Sequence, residues 1–237
     1  MMPVAILAGG LATRLRPLTE TIPKALIDIA GRPFLDYQLR LLRSKGITEV
    51  VLCVGYCGEQ IREYADDGSR FGLHIRYSFD GSRLLGTAGA VRRALPLLGP
   101  QFFVLYGDSY LPCDYENVER RFLRSGKLGL MTVFRNEGNW DASNVEFARG
   151  RILKYSKVEP SPSMHHIDYG LGAFRHTALQ GVPSEKAFDL ASVYQDLLHR
   201  GELAACRIGQ RFYEVGSTQG IVQFSEFVSN SGTNNDI

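Results

Sequence analysis

Apolar residues in this chain fall into short unbroken runs, separated by stretches in which they recur every three or four positions. Residues 4–8 are one such run and stop at Gly9-Gly10, which is the pattern of a strand buried on both faces. Residues 49–54, 73–77, 102–106 and 129–134 read the same way. Between them, 34–45 predicts a helix: Leu35, Leu39 and Leu42 share a face and Gly46 stands where a helix commonly ends. Further helices are predicted over 59–66, 88–97 and 115–124. Strands alternating with amphipathic helices build a mostly parallel, Rossmann-like sheet flanked by helices, an α/β fold.

The second half changes character. Strands at 144–147, 151–155 and 166–174 are shorter and more polar, and predict a smaller mixed or antiparallel layer beside the main sheet. Leu190, Val193, Tyr194, Leu197 and Leu198 form the stripe of a later helix. Strands at 204–208 and 212–215 and a closing helix over 218–228 follow. This gives one domain over 1–229, with 1–135 mainly one functional half and 136–229 the other. Residues 230–237 are polar and are expected to be disordered.

Composition narrows the function classes. The chain has 237 residues, 44% of them hydrophobic, enough for a sizeable core in one domain. A net charge of +2, with Lys and Arg scattered, gives no nucleic-acid or membrane patch. No leader and no bilayer-length apolar run are present, so the expected location is cytoplasmic. The spacing of Cys53, Cys57, Cys113 and Cys206 fits neither a zinc site nor a disulfide framework, and packed, reduced thiols are expected.

The loop after the first strand carries the most chemistry. Two glycines at a strand end let the backbone turn sharply and approach a ligand. Successive N–H groups there can face phosphate oxygens, and Arg14, Arg16 and Lys24 add cations. On the glycines alone, a plain turn with solvated arginines explains the run equally well. Neither a Walker loop nor a dinucleotide fingerprint fits, because Gly9-Gly10 continues with neither spacing. Downstream, Gly107-Asp108 closes a buried strand, and an acid at that end of an open α/β sheet sits where ligands bind.

The run Gly9-Gly10-Leu11-Ala12-Thr13-Arg14-Leu15-Arg16-Pro17-Leu18-Thr19, with Pro23-Lys24 and Gly31-Arg32-Pro33 after it, resembles the signature of the sugar-nucleotide pyrophosphorylases. The overall pattern is similar to their short bacterial members for heptose or hexose 1-phosphates. The resemblance implies the nucleotide-diphospho-sugar transferase fold. It also implies transfer of a nucleoside monophosphate from a nucleoside triphosphate to a sugar 1-phosphate, with Mg²⁺. It assigns Leu7, Ala8, Gly9, Gly10 and Thr13 to the nucleotide, Arg14 and Lys24 to the reacting phosphates, and Gly86, Thr87 and Ala88 to the base. It makes Asp108 a metal ligand, with Glu214 standing where the family has Asp. Lys157 falls where the family binds the sugar's phosphate; Asn144, Asp168 and Gly170 fall on the sugar site.

The implied reaction is in-line attack by an already anionic phosphate oxygen, so no general base is required, and positioning and electrostatics supply the rate. A Gly-Thr-Ala-Gly loop also occurs in guanylyltransferases and leans toward GTP. Two other readings stay open: a non-catalytic subunit that senses nucleotide sugars, and transfer to a non-sugar phosphate such as phosphocholine. A homo-oligomer is compatible with the sequence.

Overall fold

The computed structural model describes residues 1–136, 138–183 and 186–230. Among the described residues, nine strands form one sheet: β1 (Val4–Leu7), β2 (Glu49–Val54), β3 (His74–Phe79), β4 (Gln101–Tyr106), β5 (Gly129–Arg135), β6 (Val145–Ala148), β7 (Arg151–Tyr155), β8 (His166–Arg175) and β9 (Leu203–Ile208). β3, β2, β1 and β4 are parallel in that spatial order. Beyond β4 comes β8, antiparallel to it and to β5 on its other side. The antiparallel strands β6 and β7 continue from the N-terminal end of β8, and β9 pairs parallel to β5. The antiparallel portion therefore lies beside the parallel portion within the same sheet.

Helices α1 (Phe34–Ser44), α2 (Gly58–Ala65), α3 (Gly86–Leu98), α4 (Tyr115–Ser125), α5 (Leu190–His199) and α6 (Thr218–Asn230) cover the sheet. Two large apolar clusters lie on its opposite faces. One gathers Leu35, Leu39, Phe103, Tyr115 and Phe122; the other gathers Val91, Leu95, Phe102, Leu190 and Tyr194. A third cluster pins α6, where Phe224 is fully buried against the rings of Phe34, Tyr37 and Tyr110. The helix runs through Asn230, one residue into the stretch expected as a tail; 231–237 lie outside the described residues. Cys53, Cys113 and Cys206 are buried and Cys57 is partly so, all four as free thiols. Among the described residues, no helix is long and apolar enough to cross a membrane.

Two features of the sheet position the site. The parallel strands all end at one edge, so the loops after β1, β2 and β4 emerge together there. On β8, the pairing with β5 slips between Asp168 and Gly172, so that extra residues bulge out of the ladder. Gly170, at φ +100°, makes that bulge in a conformation other residues rarely adopt. Bulges of this kind re-aim side chains next to functional clefts.

Candidate active site

The nucleotide end is built on the loop after β1. Ala8 N donates to Cys53 O at 2.8 Å, which ties the loop to the end of β2. A Cβ on Gly9 would stand 2.9 Å from Gly55 N, so glycine permits the two loops to touch. Among the described residues, Gly10 has nothing within 4 Å of the same position, and it lines a cavity of about 270 Å³. That cavity is lined by Leu7, Ala8, Gly9 and Gly10 on one side, and by Leu84, Gly86 and Thr87 on another. Lys24, Tyr106 and Asp108 close it. The chain then makes a short turn over Thr13–Leu15, locked by Thr19 Oγ1 donating to Ala12 O at 2.9 Å. Leu15 points inward and is buried, while Arg14 is solvent-accessible and lines the cleft.

The charged centre lies between the ends of β1 and β4. Lys24 Nζ meets Asp108 Oδ2 at 2.5 Å. After Asp108 the chain forms a two-residue ribbon, in which Ser109–Tyr110 pairs with Tyr213–Glu214. Val215 N donates to Asp108 O at 2.9 Å. The backbone thus fixes Asp108 and Glu214 as neighbours. Glu214 is exposed as a whole residue, and its carboxyl lies among the charged groups of the cleft. Desolvation on the cleft side, reinforced by Asp108 and Asp141, pushes the carboxyl up to about 7 against the opposing pull of Lys24. Above Gly216, one point lies 3.4 Å from Asp108 Oδ2 and 3.7 Å from an Arg14 guanidinium nitrogen, so Arg14 shares this centre.

A second cavity of about 360 Å³ opens on the other side of Asp108. Its walls include Arg14, Tyr106, Asp108, Asn144, Lys157, Asp168, Gly170 and Glu214. The β8 bulge presents Asp168 here: Gly170 N donates to its Oδ1 at 3.1 Å, and its own N–H donates to Asn144 Oδ1 at 2.9 Å. Burial raises the Asp168 carboxyl above its usual range, with Lys157 and the Gly170 N–H opposing. Lys157 Nζ lies 3.5 Å from the Tyr106 hydroxyl and 5.3 Å from its ring centroid. Tyr106 and Asp108 line both cavities, which therefore form one cleft across the Lys24–Asp108 pair. Glycine-rich backbone, three cations and two adjacent carboxylates along one cleft suit reactants that carry several phosphates.

Comparison with known proteins identifies the family of the chain. Residues 4–141 match the family model described as nucleotidyl transferase. The chain is 37% identical over 224 residues to a D-glycero-alpha-D-manno-heptose 1-phosphate guanylyltransferase from Campylobacter jejuni, covering 94% of this chain and 98% of that one. The chain belongs to the nucleotidyl transferase family. It is also 44% identical over 115 residues to the N-acetylmuramate alpha-1-phosphate uridylyltransferase of Neisseria meningitidis, covering 48% of this chain and 50% of that one. The chain spans about half the length of several curated relatives that it matches. The solved structure of HddC from Yersinia pseudotuberculosis complexed with GMP-PN superposes with a TM-score of 0.80. At 21% identity, over 96% of this chain and 99% of that one, the likeness is one of fold.

Most of the residues singled out from sequence meet in this nucleotidyl transferase cleft, and two stand apart. Thr13 is exposed on the turn and lines none of the cavities described. Ala88 is fully buried outside both cavities, and its N–H donates to Phe188 O at 2.9 Å. Thr87 lines the cavity, but its hydroxyl accepts from Leu190 N at 2.7 Å and so secures the start of α5. Sequence reasoning missed Asp80, Tyr106 and Asp141. Asp80 is buried, lines the first cavity and accepts the Leu85 N–H at 3.0 Å, holding the Gly86-Thr87 loop in place. An Asp-Gly pair after a strand reads as an ordinary turn, which concealed it. Tyr106, one residue before Gly107-Asp108, did carry a positional signal.

Proposed function

We propose that this nucleotidyl transferase joins a nucleoside triphosphate to a sugar 1-phosphate, giving a nucleotide sugar and pyrophosphate. The observation that carries the reading is the division of one cleft by Lys24 and Asp108. On one side lies a cavity with apolar and glycine-rich walls, suited to a nucleoside and its phosphates. On the other lies a polar cavity with Lys157 for a phosphate, and Asp168 and Asn144 for hydroxyl groups. A sugar-phosphate oxygen attacks the α-phosphorus. One P–O bond forms, the bond to the β-phosphate breaks, and pyrophosphate leaves with the electron pair. The nucleophile is already an anion, so no proton has to move. Lys24, Lys157 and Arg14 counter the repulsion between the reactants and align them.

Asp108 and Glu214 fit a hard divalent cation: both offer carboxylate oxygens, they are adjacent, and their mutual repulsion is what a cation relieves. Mg²⁺ held there with phosphate oxygens would supply neutralising charge. The full-length likeness to the Campylobacter protein makes GTP with a heptose 1-phosphate the first pair to try. Free buried thiols suit a reducing compartment, and we place the reaction in the cytosol. The test is pyrophosphate release from four triphosphates against a panel of sugar 1-phosphates, with and without Mg²⁺ and with phosphocholine as a non-sugar acceptor. Release that needs both a triphosphate and a sugar phosphate is expected. A binder of nucleotide sugars that releases no pyrophosphate with any pair would refute the reading.

A further inference from the structure

Trp140, the only tryptophan in the chain, stands 42% exposed on the loop between β5 and β6. The Arg211 guanidinium lies 3.5 Å from the centroid of its ring and 4.6 Å from that of Tyr213. Arg211 also donates to Gln223 on α6 at 2.8 Å, while its Nε is buried with no hydrogen-bond partner among the described residues. A guanidinium shielded in this way gains more from an aromatic face than an exposed one does. The base of the stack is fixed, because the neighbouring Phe212 packs edge-on against Phe134 and Tyr169 with centroids 5.8 Å away in each case.

The residues that follow Trp140 matter to the cleft. Asp141, Ala142, Ser143 and Asn144 form one wall of the cavity that holds Lys157 and Asp168. From inside, this segment is tied by the buried Asn136, whose Nδ2 donates to Asp141 O at 2.5 Å and to Ser143 Oγ at 3.1 Å. From outside, it is tied by Trp140 on Arg211. Tyr213, at the other end of the stack, precedes Glu214. We propose that Trp140 is a positioning residue, whose stack on Arg211 and Tyr213 holds residues 141–144 against the Tyr213–Glu214 ribbon and so fixes the wall of the sugar-phosphate cavity. Only the kinetic part of this inference rests on the nucleotidyl-transfer reading.

Hydrogen exchange of the full chain tests the structural part in Trp140→Ala, Trp140→Phe and Arg211→Gln. Amides in 138–144 should exchange about 3- to 30-fold faster in Trp140→Ala and Arg211→Gln, the range set by loss of a cation–aromatic contact. Trp140→Phe should restore near wild-type protection there, and amides of β1 and β4 should be unchanged. Unchanged exchange at 138–144, or acceleration across the whole chain, overturns the proposal. In steady state, Trp140→Ala should raise KM for the best sugar 1-phosphate about 3- to 30-fold while KM for the triphosphate stays within about 2-fold. An equal rise in both, or a rise for the triphosphate alone, overturns the assignment to the acceptor cavity. A wild-type chain that turns over no sugar 1-phosphate defeats the functional reading instead, and the exchange result still decides the loop.

Discussion

Replacing Asp108 with Asn separates chemistry from folding, because the two effects differ in size. The backbone role of the residue survives, since its carbonyl still accepts the Val215 N–H. What disappears is a charge that pairs with Lys24 at 2.5 Å, with the two side chains 23% and 21% exposed. An ion pair so placed lies between the surface case, worth under about 1 kcal/mol, and the fully buried case, in which loss of one partner costs about 3–5 kcal/mol. We take about 1–2 kcal/mol. The repulsion that Asp108 exerts on Glu214 is relieved at the same time, which offsets part of that loss. For a chain of this length the melting temperature should fall by less than about 8 °C. Removing a charge that organises the reacting phosphates should cost about 2–4 kcal/mol of transition-state stabilisation, or roughly 30- to 1,000-fold in turnover. Pyrophosphate release at saturating substrates, run beside thermal unfolding, measures both. Turnover within about 3-fold of wild type would remove Asp108 from the reacting centre. A fall of more than about 15 °C would reassign it to the fold.

Further outcomes follow from the same cleft. On the proposed metal assignment, Mg²⁺ would displace the proton that Glu214 holds below about 7, so affinity by calorimetry should weaken as pH falls through that value and level off above it, and Glu214→Gln should lose this dependence. Gly9→Ala places a methyl 2.9 Å from Gly55 N and should cost about 1–3 kcal/mol in denaturant unfolding; Gly10→Ala meets no protein atom within 4 Å and should leave stability intact while weakening triphosphate binding. Lys157→Ala should raise KM for the sugar 1-phosphate about 10- to 100-fold and leave that of the triphosphate nearly unchanged, as steady-state kinetics with each substrate varied would show. In the proposed reaction a cation offsets the charge of Asp108, Asp141, Asp168 and Glu214, so calorimetry should detect sugar 1-phosphate binding only when Mg²⁺ and a non-hydrolysable triphosphate are present; equal affinity without them would contradict this ordering.

How much of the site could be read from sequence depends on the range over which each feature is encoded. Gly9, Gly10 and Asp108 announce themselves locally, as glycine pairs or acids where an apolar run stops. A parallel sheet then does the rest: β1 and β4 are neighbours in one register, so residues a hundred positions apart emerge side by side without any signal linking them. Lys24 was legible for a different reason, its place in a recognisable run after Pro23. The features that escaped are set by pairings across the fold. That Phe188 takes the Ala88 N–H, and that Thr87 bonds Leu190 across 103 positions, depends on how α5 docks against α3. Asp168 was visible as an acid on a strand, but the bulge that aims it arises from a mismatch between β8 and β5, and neither strand carries that mismatch alone. Trp140 shows the same limit most clearly. An isolated tryptophan in a polar loop has no periodicity to interpret, and its meaning appears only when the Arg211 guanidinium, delivered by the chain after β9, is found against its ring. Local pattern therefore identifies groups that could handle phosphate, while the register of the sheet and the packing of its loops determine which of them face the same reactant.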